Sequence, residues 1–192
     1  MPLLTPPKSE IDSIIALFSN NQLQEALDKV ITLTKSFPED SLLHNITGAC
    51  YAGLGQLGSA VKCYEKAIEI KPDYAKAHYN LGNVLHDLAL QGVGHLDDPH
   101  LQGVGHLDDP IKSYMRSIEI DPNYAEAHNN LGNVFQDLGR LDEAFECFEK
   151  ALIINPNYVE AHYSLGVVLF DLGQFDDAAQ SYKKAIELNP NF

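Results

Sequence analysis

The sequence predicts an all-α solenoid of about five antiparallel helix pairs, and three observations support this fold class. A motif of the form H-x-x-L-G-x-x-(L/F), then A-x-x-x-(F/Y), then P, recurs along the chain at a spacing of 34 residues. Aligned without gaps, segments 125–158 and 159–192 are identical at 16 of their 34 positions. Within each copy, apolar residues recur at helical spacing. Self-similarity at this period is typical of stacked helix pairs, in which no repeat buries its apolar face alone.

The last two copies carry the motif most clearly. Its residues are His128, Leu131, Gly132, Phe135, Ala144, Phe148 and Pro156 in one copy, and His162, Leu165, Gly166, Leu169, Ala178, Tyr182 and Pro190 in the next. This pattern resembles the tetratricopeptide repeat (TPR) family, and the resemblance covers nearly the whole chain. It implies a single right-handed array over residues 1–192, with repeats at 7–40, 41–74, 75–124, 125–158 and 159–192.

The first two repeats match the motif less closely. Repeat 41–74 keeps His44, Gly48, Tyr51, Ala60, Tyr64, Ala67 and Pro72 in register, although Thr47 replaces the usual Leu. Repeat 7–40 keeps only Leu17, Ala26 and Pro38, with Ile14 where the small Gly belongs. Because the terminal repeats of a solenoid are atypical, we interpret this first copy as the N-terminal cap.

Repeat 75–124 is 50 residues long and therefore contains an insert. The decapeptide LQGVGHLDDP occupies residues 90–99 and again 101–110, which indicates an 11-residue tandem duplication. The extra residues fall at about residues 89–104, at the turn between the two helices, where an insertion leaves no buried backbone N–H or C=O group unpaired. We expect a surface loop there, followed by a helix that begins late, with Asp109 as its N-cap and Pro110 as its first residue.

The repeat also places the helices. The first helices of the pairs should span about 9–19, 41–54, 75–88, 125–138 and 159–172, and the second helices about 22–35, 57–70, 109–120, 141–154 and 175–188. In the turns between repeats, Asp73, Asn123 and Asn157 each follow a proline by one residue and are predicted N-caps. Glu126 and Glu160 would complete capping boxes three residues later.

The last repeat is not followed by a helix in this sequence. Asn191 occupies the predicted cap position, but only Phe192 follows it. Solenoids need a polar closing element to cover the apolar face of their last repeat. We expect the chain to be the front part of a longer protein; alternatively, this face contacts another molecule.

The composition favours an interaction module with a neutral or basic partner. The chain has 27 acidic and 13 basic residues, a formal charge of −14, which argues against nucleic acid and against anionic membrane surfaces. The start, MPLLTPPKSE, lacks the features of a signal peptide, and no apolar run is long enough to span a bilayer. We therefore expect a cytoplasmic protein.

No motif for catalysis stands out. The chain contains no P-loop pattern, the Gly-x-Gly pairs of the insert lack the third glycine, and no Ser, His and Asp set lies outside helix-packing positions. Three widely spaced cysteines are predicted to pack as reduced thiols: Cys50, Cys63 and Cys147. We predict no enzyme activity and no cofactor within these residues.

Histidines recur at the fourth position of four repeats, as His44, His78, His128 and His162. Equivalent sites in adjacent pairs lie about 8–10 Å apart or more, whereas a zinc–nitrogen bond measures about 2 Å. We therefore predict packing and hydrogen bonding between neighbouring helices, and no metal site. The insert holds a richer set of donors, but duplication alone explains it, so metal binding there is the weaker alternative: His95, His100, His106, Asp97, Asp98, Asp108 and Asp109.

The resemblance also implies a binding groove. In TPR proteins, positions 2, 5, 6, 9, 12 and 13 of each repeat tend to line a concave surface where peptides bind. Carried onto this chain, the groove residues are Lys76, Tyr79, Asn80, Asn83, His86, Asp87, Asn129, Asn130, Asn133, Gln136, Asp137, Tyr163, Ser164, Phe170 and Asp171. Its asparagines are similar to the row in the TPR superhelix of O-linked N-acetylglucosamine transferase, whose amides hold a peptide backbone. An amide both donates and accepts, so it pairs with a peptide group whatever the side chain.

The asparagine row is incomplete, and the charge of the groove is unlike that of TPR domains that clamp a C-terminal carboxylate. Ile46, Ser164 and Val167 interrupt the row. Lys76 is the only basic residue placed on the groove, where a carboxylate clamp would need two or more. Acidic residues form a row instead: Asp87, Asp137 and Asp171. An alternative interpretation is that Asn80 and Asn130 only bridge adjacent helices.

These features predict a protein–protein interaction scaffold that binds an extended neutral or basic peptide. Three alternatives remain open. The chain is the N-terminal array of a larger enzyme, such as a glycosyltransferase or sulfotransferase; or it self-associates through the C-terminal repeat; or its insert is a metal-responsive switch. The full reading frame would distinguish the first alternative.

The insert analysis gives a first testable prediction. Deleting residues 89–104 restores a 34-residue repeat. Because extra loop length costs only about 0.6 kcal/mol per doubling, we expect the deletion variant to keep the helical circular dichroism of the parent and to melt at an equal or higher temperature. Loss of the folded signal would show instead that the insert packs as structure.

Overall fold

The computed structural model describes residues 5–91 and 108–191, and all the regular secondary structure of those two ranges is helical. The helices are α1 (Lys8–Ser19), α2 (Leu23–Ser36), α3 (Ser41–Gly53), α4 (Leu57–Ile70), α5 (Ala75–Leu90), α6 (Asp108–Ile120), α7 (Ala125–Asp137), α8 (Leu141–Ile154), α9 (Val159–Asp171) and α10 (Phe175–Leu188). The all-α prediction is confirmed, and every helix boundary falls within about two residues of its predicted place.

The chain divides into two compact units, residues 1–106 and 107–192. The first unit contains α1 to α5 and the second contains α6 to α10. In each unit, every helix packs on its neighbours in sequence, and the first helices of adjacent repeats also meet, α3 with α5 and α7 with α9. Contacts restricted to nearest neighbours are what a solenoid requires.

A glycine on the first helix of a repeat packs against an aromatic ring on the second helix. This contact pairs Gly48 with Tyr64, Gly132 with Phe148 and Gly166 with Tyr182. A Cβ atom added to any of these glycines would lie 2.7 Å from the ring, closer than real contacts allow. The missing side chain therefore sets how closely the two helices of a pair approach.

The first repeat solves the same packing problem with a different pair of side chains. Ile14 stands in the glycine position, and Val30 stands where the ring would be. Both are buried in one apolar cluster together with Leu27 and Leu43. In this repeat the larger side chain of the pair is on the first helix and not on the second, so an apolar core still forms between the two helices.

In each of the four pairs whose inner turn is described, the turn has one residue in the left-handed backbone region. Gly139 has φ of +71°, and the Arg140 N–H behind it donates to the Phe135 carbonyl at 2.8 Å, which closes the end of α7. The first repeat uses Asn21 at the matching position, with φ of +60°. Asparagine tolerates this region better than most residues with a side chain, so the turn keeps its geometry.

The predicted N-caps between repeats are wrong by one residue. The cap positions of α5, α7 and α9 are held by tyrosines, namely Tyr74, Tyr124 and Tyr158, and none of these makes a side-chain cap bond. Asn123 and Asn157 lie within the preceding turn, where their backbone N–H groups donate to the side chains of Asp121 and Asn155 at 3.1 and 3.2 Å. Glu126 and Glu160 therefore do not form the predicted capping boxes.

At the start of α3, the residue that matches these tyrosines does form a side-chain cap. There Asp40 accepts a hydrogen bond from the Leu43 backbone N–H at 3.0 Å. At the turns before α7 and α9, the Asx–Pro sequence satisfies its polar side chain locally, across the proline. Helices α3, α5, α7 and α9 all begin at the same position of their repeats, so the residue before the helix decides only whether a side-chain cap forms.

Helix α6 spans Asp108–Ile120 and has 13 residues, whereas the second helices of the other pairs have 14. The predicted start is wrong by one residue, since Asp109 lies inside the helix and is not its N-cap, and Pro110 is its third residue and not its first. Pro110 lies in the first turn, where a missing N–H costs no helical hydrogen bond, and its ring is fully buried. Residues 89 and 90 of the predicted insert belong to α5, and residues 92–104 lie outside the described residues.

The three cysteines are free thiols within the helix packing. Cys50 and Cys147 are buried and Cys63 is half-buried. Burial raises the pKa of each thiol to about 11. A thiol with such a pKa stays protonated at neutral pH and is a poor nucleophile.

The glycine–aromatic contact gives a second testable prediction. Gly132→Ala adds a methyl group against Phe148, which has no exposed surface, and overpacking costs about 1–3 kcal/mol. The gain in helix propensity of about 1 kcal/mol offsets only part of this cost. Urea unfolding should therefore show a less stable variant.

The matched control is Gly166→Ala, which has the same 2.7 Å contact with a ring that is partly exposed and able to move aside. We expect Gly166→Ala to be close to neutral. Adding Phe148→Leu to Gly132→Ala should recover part of the loss in a double-mutant cycle. Equal stability of the two alanine variants would contradict the proposed role of the buried ring.

Candidate peptide-binding surfaces

The predicted groove residues of the first unit lie on α5. Lys76 and Asp87 are exposed, and the others are half-buried: Tyr79, Asn80, Asn83 and His86. We refer to these six residues as the α5 surface. Five of them are polar or charged, so this side of the helix offers hydrogen-bonding groups at helical spacing.

One amide of the α5 surface bridges two helices. The Asn80 Nδ2 atom donates to Asn45 Oδ1 on α3 at 3.0 Å. Asn45 is only 4% exposed. The bridging interpretation therefore describes a real contact of Asn80, but that contact uses one of the two N–H groups on its side chain. Asn45 was not among the predicted residues, although an amide at the fifth position of its repeat was a signal for it.

The second unit carries the remaining predicted residues on α7 and α9. Asp137, Tyr163, Phe170 and Asp171 are exposed, and four further residues are half-buried: Asn130, Asn133, Gln136 and Ser164. We refer to these eight as the α7–α9 surface. A hydrogen bond joins its two helices, because the Ser164 hydroxyl donates to Asn133 Oδ1 at 3.4 Å.

Asn129 differs from the other predicted residues because it is buried. It is 4% exposed, and its Nδ2 atom donates to Asn130 Oδ1 at 3.1 Å. Its position five in the repeat matches Tyr163, which is 47% exposed. Asn129 therefore orients the neighbouring amide, and a ligand on the α7–α9 surface does not reach it.

The first helices of repeats four and five are acidic, whereas α3 has no acidic or basic residue and α5 has one of each. Helices α3, α5, α7 and α9 carry one basic residue, Lys76, and five acidic residues: Asp87, Glu126, Asp137, Glu160 and Asp171. The three aspartates of the predicted acidic row are all exposed. A positively charged or neutral ligand suits this charge, and an anionic one does not.

The recurring histidines bond to a different partner from the one predicted. The Nε2 atoms of His44, His78, His128 and His162 lie 2.8, 3.0, 3.2 and 2.9 Å from the carbonyl oxygens of Pro38, Pro72, Pro122 and Pro156. Because a carbonyl only accepts, Nε2 is the donor, and the bond ties each helix to the turn before it. The prediction of bonds between neighbouring helices is wrong on this point. Burial lowers the pKa of His128.

Within residues 5–91 and 108–191, no group of three or more His, Cys, Asp or Glu side chains is placed to hold a metal ion. The metal donors proposed for the insert up to His106 lie outside the described residues. No helix in the described ranges combines the length and the apolar character that crossing a membrane requires.

Family comparisons agree with the repeat geometry. A model described as "TPR repeat" matches residues 48–88 and 105–139, and a model described as "Tetratricopeptide repeat" matches residues 123–191. Together they cover well over half of the chain. The chain belongs to the tetratricopeptide repeat family.

Curated relatives of this TPR chain match over a limited part of their length. The peroxisomal targeting signal receptor of Candida albicans is 29% identical over 85 residues, which are 41% of this chain and 14% of the relative. The receptor of the same name from Kluyveromyces lactis is 29% identical over 75 residues, 39% of this chain and 13% of the relative. The alignments thus cover about one seventh of these receptors.

Solved structures confirm the TPR fold. A thermophilic TPR protein of Thermus thermophilus is 22% identical with a TM-score of 0.76, covering 96% of this chain and 92% of that one. MamA from Desulfovibrio magneticus RS-1 is 20% identical with a TM-score of 0.75, covering 95% and 94%. YrrB, described as a TPR protein with an unusual peptide-binding site, is 22% identical with a TM-score of 0.66, covering 95% and 86%. At these identities the likeness concerns the fold alone.

Proposed function

We propose that this protein–protein interaction scaffold binds extended, neutral or basic peptides, with the α5 surface and the α7–α9 surface as two candidate sites that are each argued separately. The observation that carries the proposal is a pair of half-buried amides on each of two first helices, Asn80 and Asn83 on α5 and Asn130 and Asn133 on α7. These amides are held by neighbours and still reach the surface. A peptide backbone presents donors and acceptors that such amides match.

The contacts between amides support pre-organisation. Asn80 is held by buried Asn45, Asn130 by buried Asn129, and Asn133 by Ser164. An amide fixed in one orientation before binding loses less side-chain entropy when the ligand arrives. The bridging role and the binding role are therefore compatible, since the same bond that links the helices also aims the amide.

The preference for an extended, neutral or basic peptide rests on charge and on the family. Three exposed aspartates against a single lysine favour a peptide that carries basic side chains. The curated relatives are named as receptors for peroxisomal targeting signals, and one structural neighbour is described as having a peptide-binding site. Both descriptions support a peptide as the class of ligand.

The amide row gives a third testable prediction. A ligand is first selected from a display library of unstructured peptides against the wild-type chain. Asn80→Ala leaves a peptide group of the ligand desolvated and unpaired, at about 1–3 kcal/mol, so calorimetry should show a Kd about 5- to 150-fold higher for this variant.

Asn45→Ala is the matched control for Asn80→Ala. It removes the same helix bridge at 3.0 Å, but Asn45 is too buried to touch a ligand. We expect Asn45→Ala to raise Kd by less than about threefold, because this variant removes only the contact that orients Asn80 and leaves the Asn80 amide in place. An equal loss in both variants, with helical circular dichroism intact, would mean that Asn80 only bridges the helices. Unchanged binding in both would place the ligand elsewhere.

The acidic row gives a fourth testable prediction. Asp137→Asn with Asp171→Asn should weaken the preference for Lys- and Arg-containing peptides and flatten the dependence of Kd on salt, because exposed charges are screened and individually contribute little. The control is Asp176→Asn with Asp177→Asn, the same charge change at exposed positions of α10. A similar change of salt dependence in both pairs would indicate net charge, not the row, as the cause.

A further inference from the structure

In the first two repeats, the positions that match the α5 surface are largely apolar. Ile15 and Phe18 on α1 are 46% and 37% exposed, and Leu42 on α3 is 37% exposed. Ala49 on α3 is half-buried. We refer to these four residues as the α1–α3 patch. Large apolar side chains grouped on one surface mark an interaction site more often than single ones do.

The patch and the α5 surface lie on the same side of successive repeats. On α5, Lys76, Asn80 and Asn83 follow one another at intervals of four and three residues, which places them on one side of the helix. The same three positions of α3 are all apolar, as Leu42, Ile46 and Ala49. The side of the repeat that is polar on α5 is therefore apolar on α3.

Contacts between repeats of the first unit place the two surfaces next to each other. Helix α3 packs on α5, and the hydrogen bond from Asn80 to Asn45 joins the two helices. One repeat earlier, the positions of this bridge hold Ile11 and Ile46, and Ile11 packs against the apolar cluster that contains Ile46. The amide bridge thus has an apolar counterpart between α1 and α3, and the α1–α3 patch adjoins the α5 surface.

The exposure of the patch follows from its position in the repeat. Ile15 and Phe18 are exposed although the next repeat is in place. On α3, Leu43 is buried in one cluster with residues of the preceding helix α2, and the residue that matches it on α1 is Ser9. Ser9 and Phe18 are about two and a half turns apart, on opposite sides of α1. A helix packed before α1 in the same way would therefore contact the Ser9 side and leave the patch open.

The side chains on α3 are smaller than those on the helices to either side. At position nine of their repeats, α1, α3 and α5 hold Ile15, Ala49 and Asn83. Position twelve repeats this pattern, with Ala52 on α3 and Phe18 on α1. Both alanines are half-buried, so neither is completely covered. Small residues between larger ones form a floor with two walls, which suits one large apolar side chain of a ligand.

We propose that the α1–α3 patch and the α5 surface form one binding site for a peptide that carries a large aliphatic or aromatic side chain. That side chain packs over Ala49 and Ala52 and against Ile15 and Phe18, while neighbouring peptide groups pair with the amides of α5. The inference rests on the proposed peptide binding at the α5 surface, and it adds the chemical class of one ligand residue.

The spacing of the helices sets where that residue stands in the ligand. Packed helices lie about 8–10 Å apart, and an extended chain advances about 3.3–3.6 Å per residue. One step from α5 to α3 therefore corresponds to about three ligand residues. We expect the apolar residue about three positions from the peptide groups that pair with Asn80 and Asn83.

Parallel selections test the inference. The display library of unstructured peptides is selected against the wild-type chain and against a variant with Ile15→Gln and Phe18→Gln. Both changes are at exposed positions and introduce a good helix former, and circular dichroism checks that the helices are intact. Peptides enriched on the wild-type chain should share one large apolar residue. Peptides enriched on the variant should lack it.

A double-mutant cycle then assigns the contact. For a peptide enriched on the wild-type chain, Kd should rise about tenfold or more when its shared apolar residue becomes serine, and by a similar factor in the Ile15→Gln, Phe18→Gln variant. The two changes together should add little, because they remove the same contact. The matched control is Met115→Gln with Ile153→Gln, at exposed apolar positions of α6 and α8, and it should leave Kd unchanged.

The outcomes separate this inference from the peptide-binding proposal. Enriched peptides without a shared apolar residue, or an equal Kd for the wild-type chain and the double Gln variant, would overturn the inference and leave peptide binding at the α5 surface standing. Failure to enrich any peptide would overturn both.

Two further measurements test other occupants of the patch. Sedimentation should show that the unliganded chain stays monomeric, and dimers that disappear in the double Gln variant would show that a second copy covers the patch. Removal of residues 1–4 should leave Kd unchanged, and tighter peptide binding after this removal would show that the start of the chain covers the patch. Either result would overturn the inference.

Discussion

The close approach of two helices within each pair is the contact on which the rest of the structure depends. It is possible because a glycine on the first helix leaves room for an aromatic ring on the second, as Gly132 does for Phe148. In the three described contacts the ring and the glycine are 16 residues apart, so the turns between those helices have the same length. That shared length explains the left-handed residue at the turn, glycine in three described repeats and Asn21 in the first.

Constant geometry within a pair produces equivalent positions along the array. A side chain at a given place in one repeat has a counterpart at the same place in the next, and its surroundings differ only in what the neighbouring repeat supplies. Asn129 and Tyr163 illustrate this, since they occupy the same position and differ in exposure from 4% to 47%. The same comparison separates residues that hold the array together from residues that are available to a partner.

The amides on the first helices contribute to packing between repeats and also reach the surface. Asn80 donates to an amide on the adjacent helix, and Asn133 accepts from Ser164. A buried polar group needs such a partner, because an unpaired one costs about 1–3 kcal/mol. The exposed aspartates recur at one position of three repeats.

The sequence by itself determined the all-α solenoid fold and placed the helix boundaries to within about two residues. The reason is that the period of 34 residues and the glycine–aromatic spacing are properties of a repeat and its nearest neighbour. It also indicated most of the candidate surface, since exposure on a solenoid follows position in the repeat. Only the tertiary structure decided which atoms pair: Tyr158 and not Asn157 at the helix start, the proline carbonyl as the partner of His162, and the burial of Asn129. Hydrogen bonds form between particular atoms about 3 Å apart, and burial depends on what the neighbouring repeat supplies, whereas a pattern of residue types contains no distances.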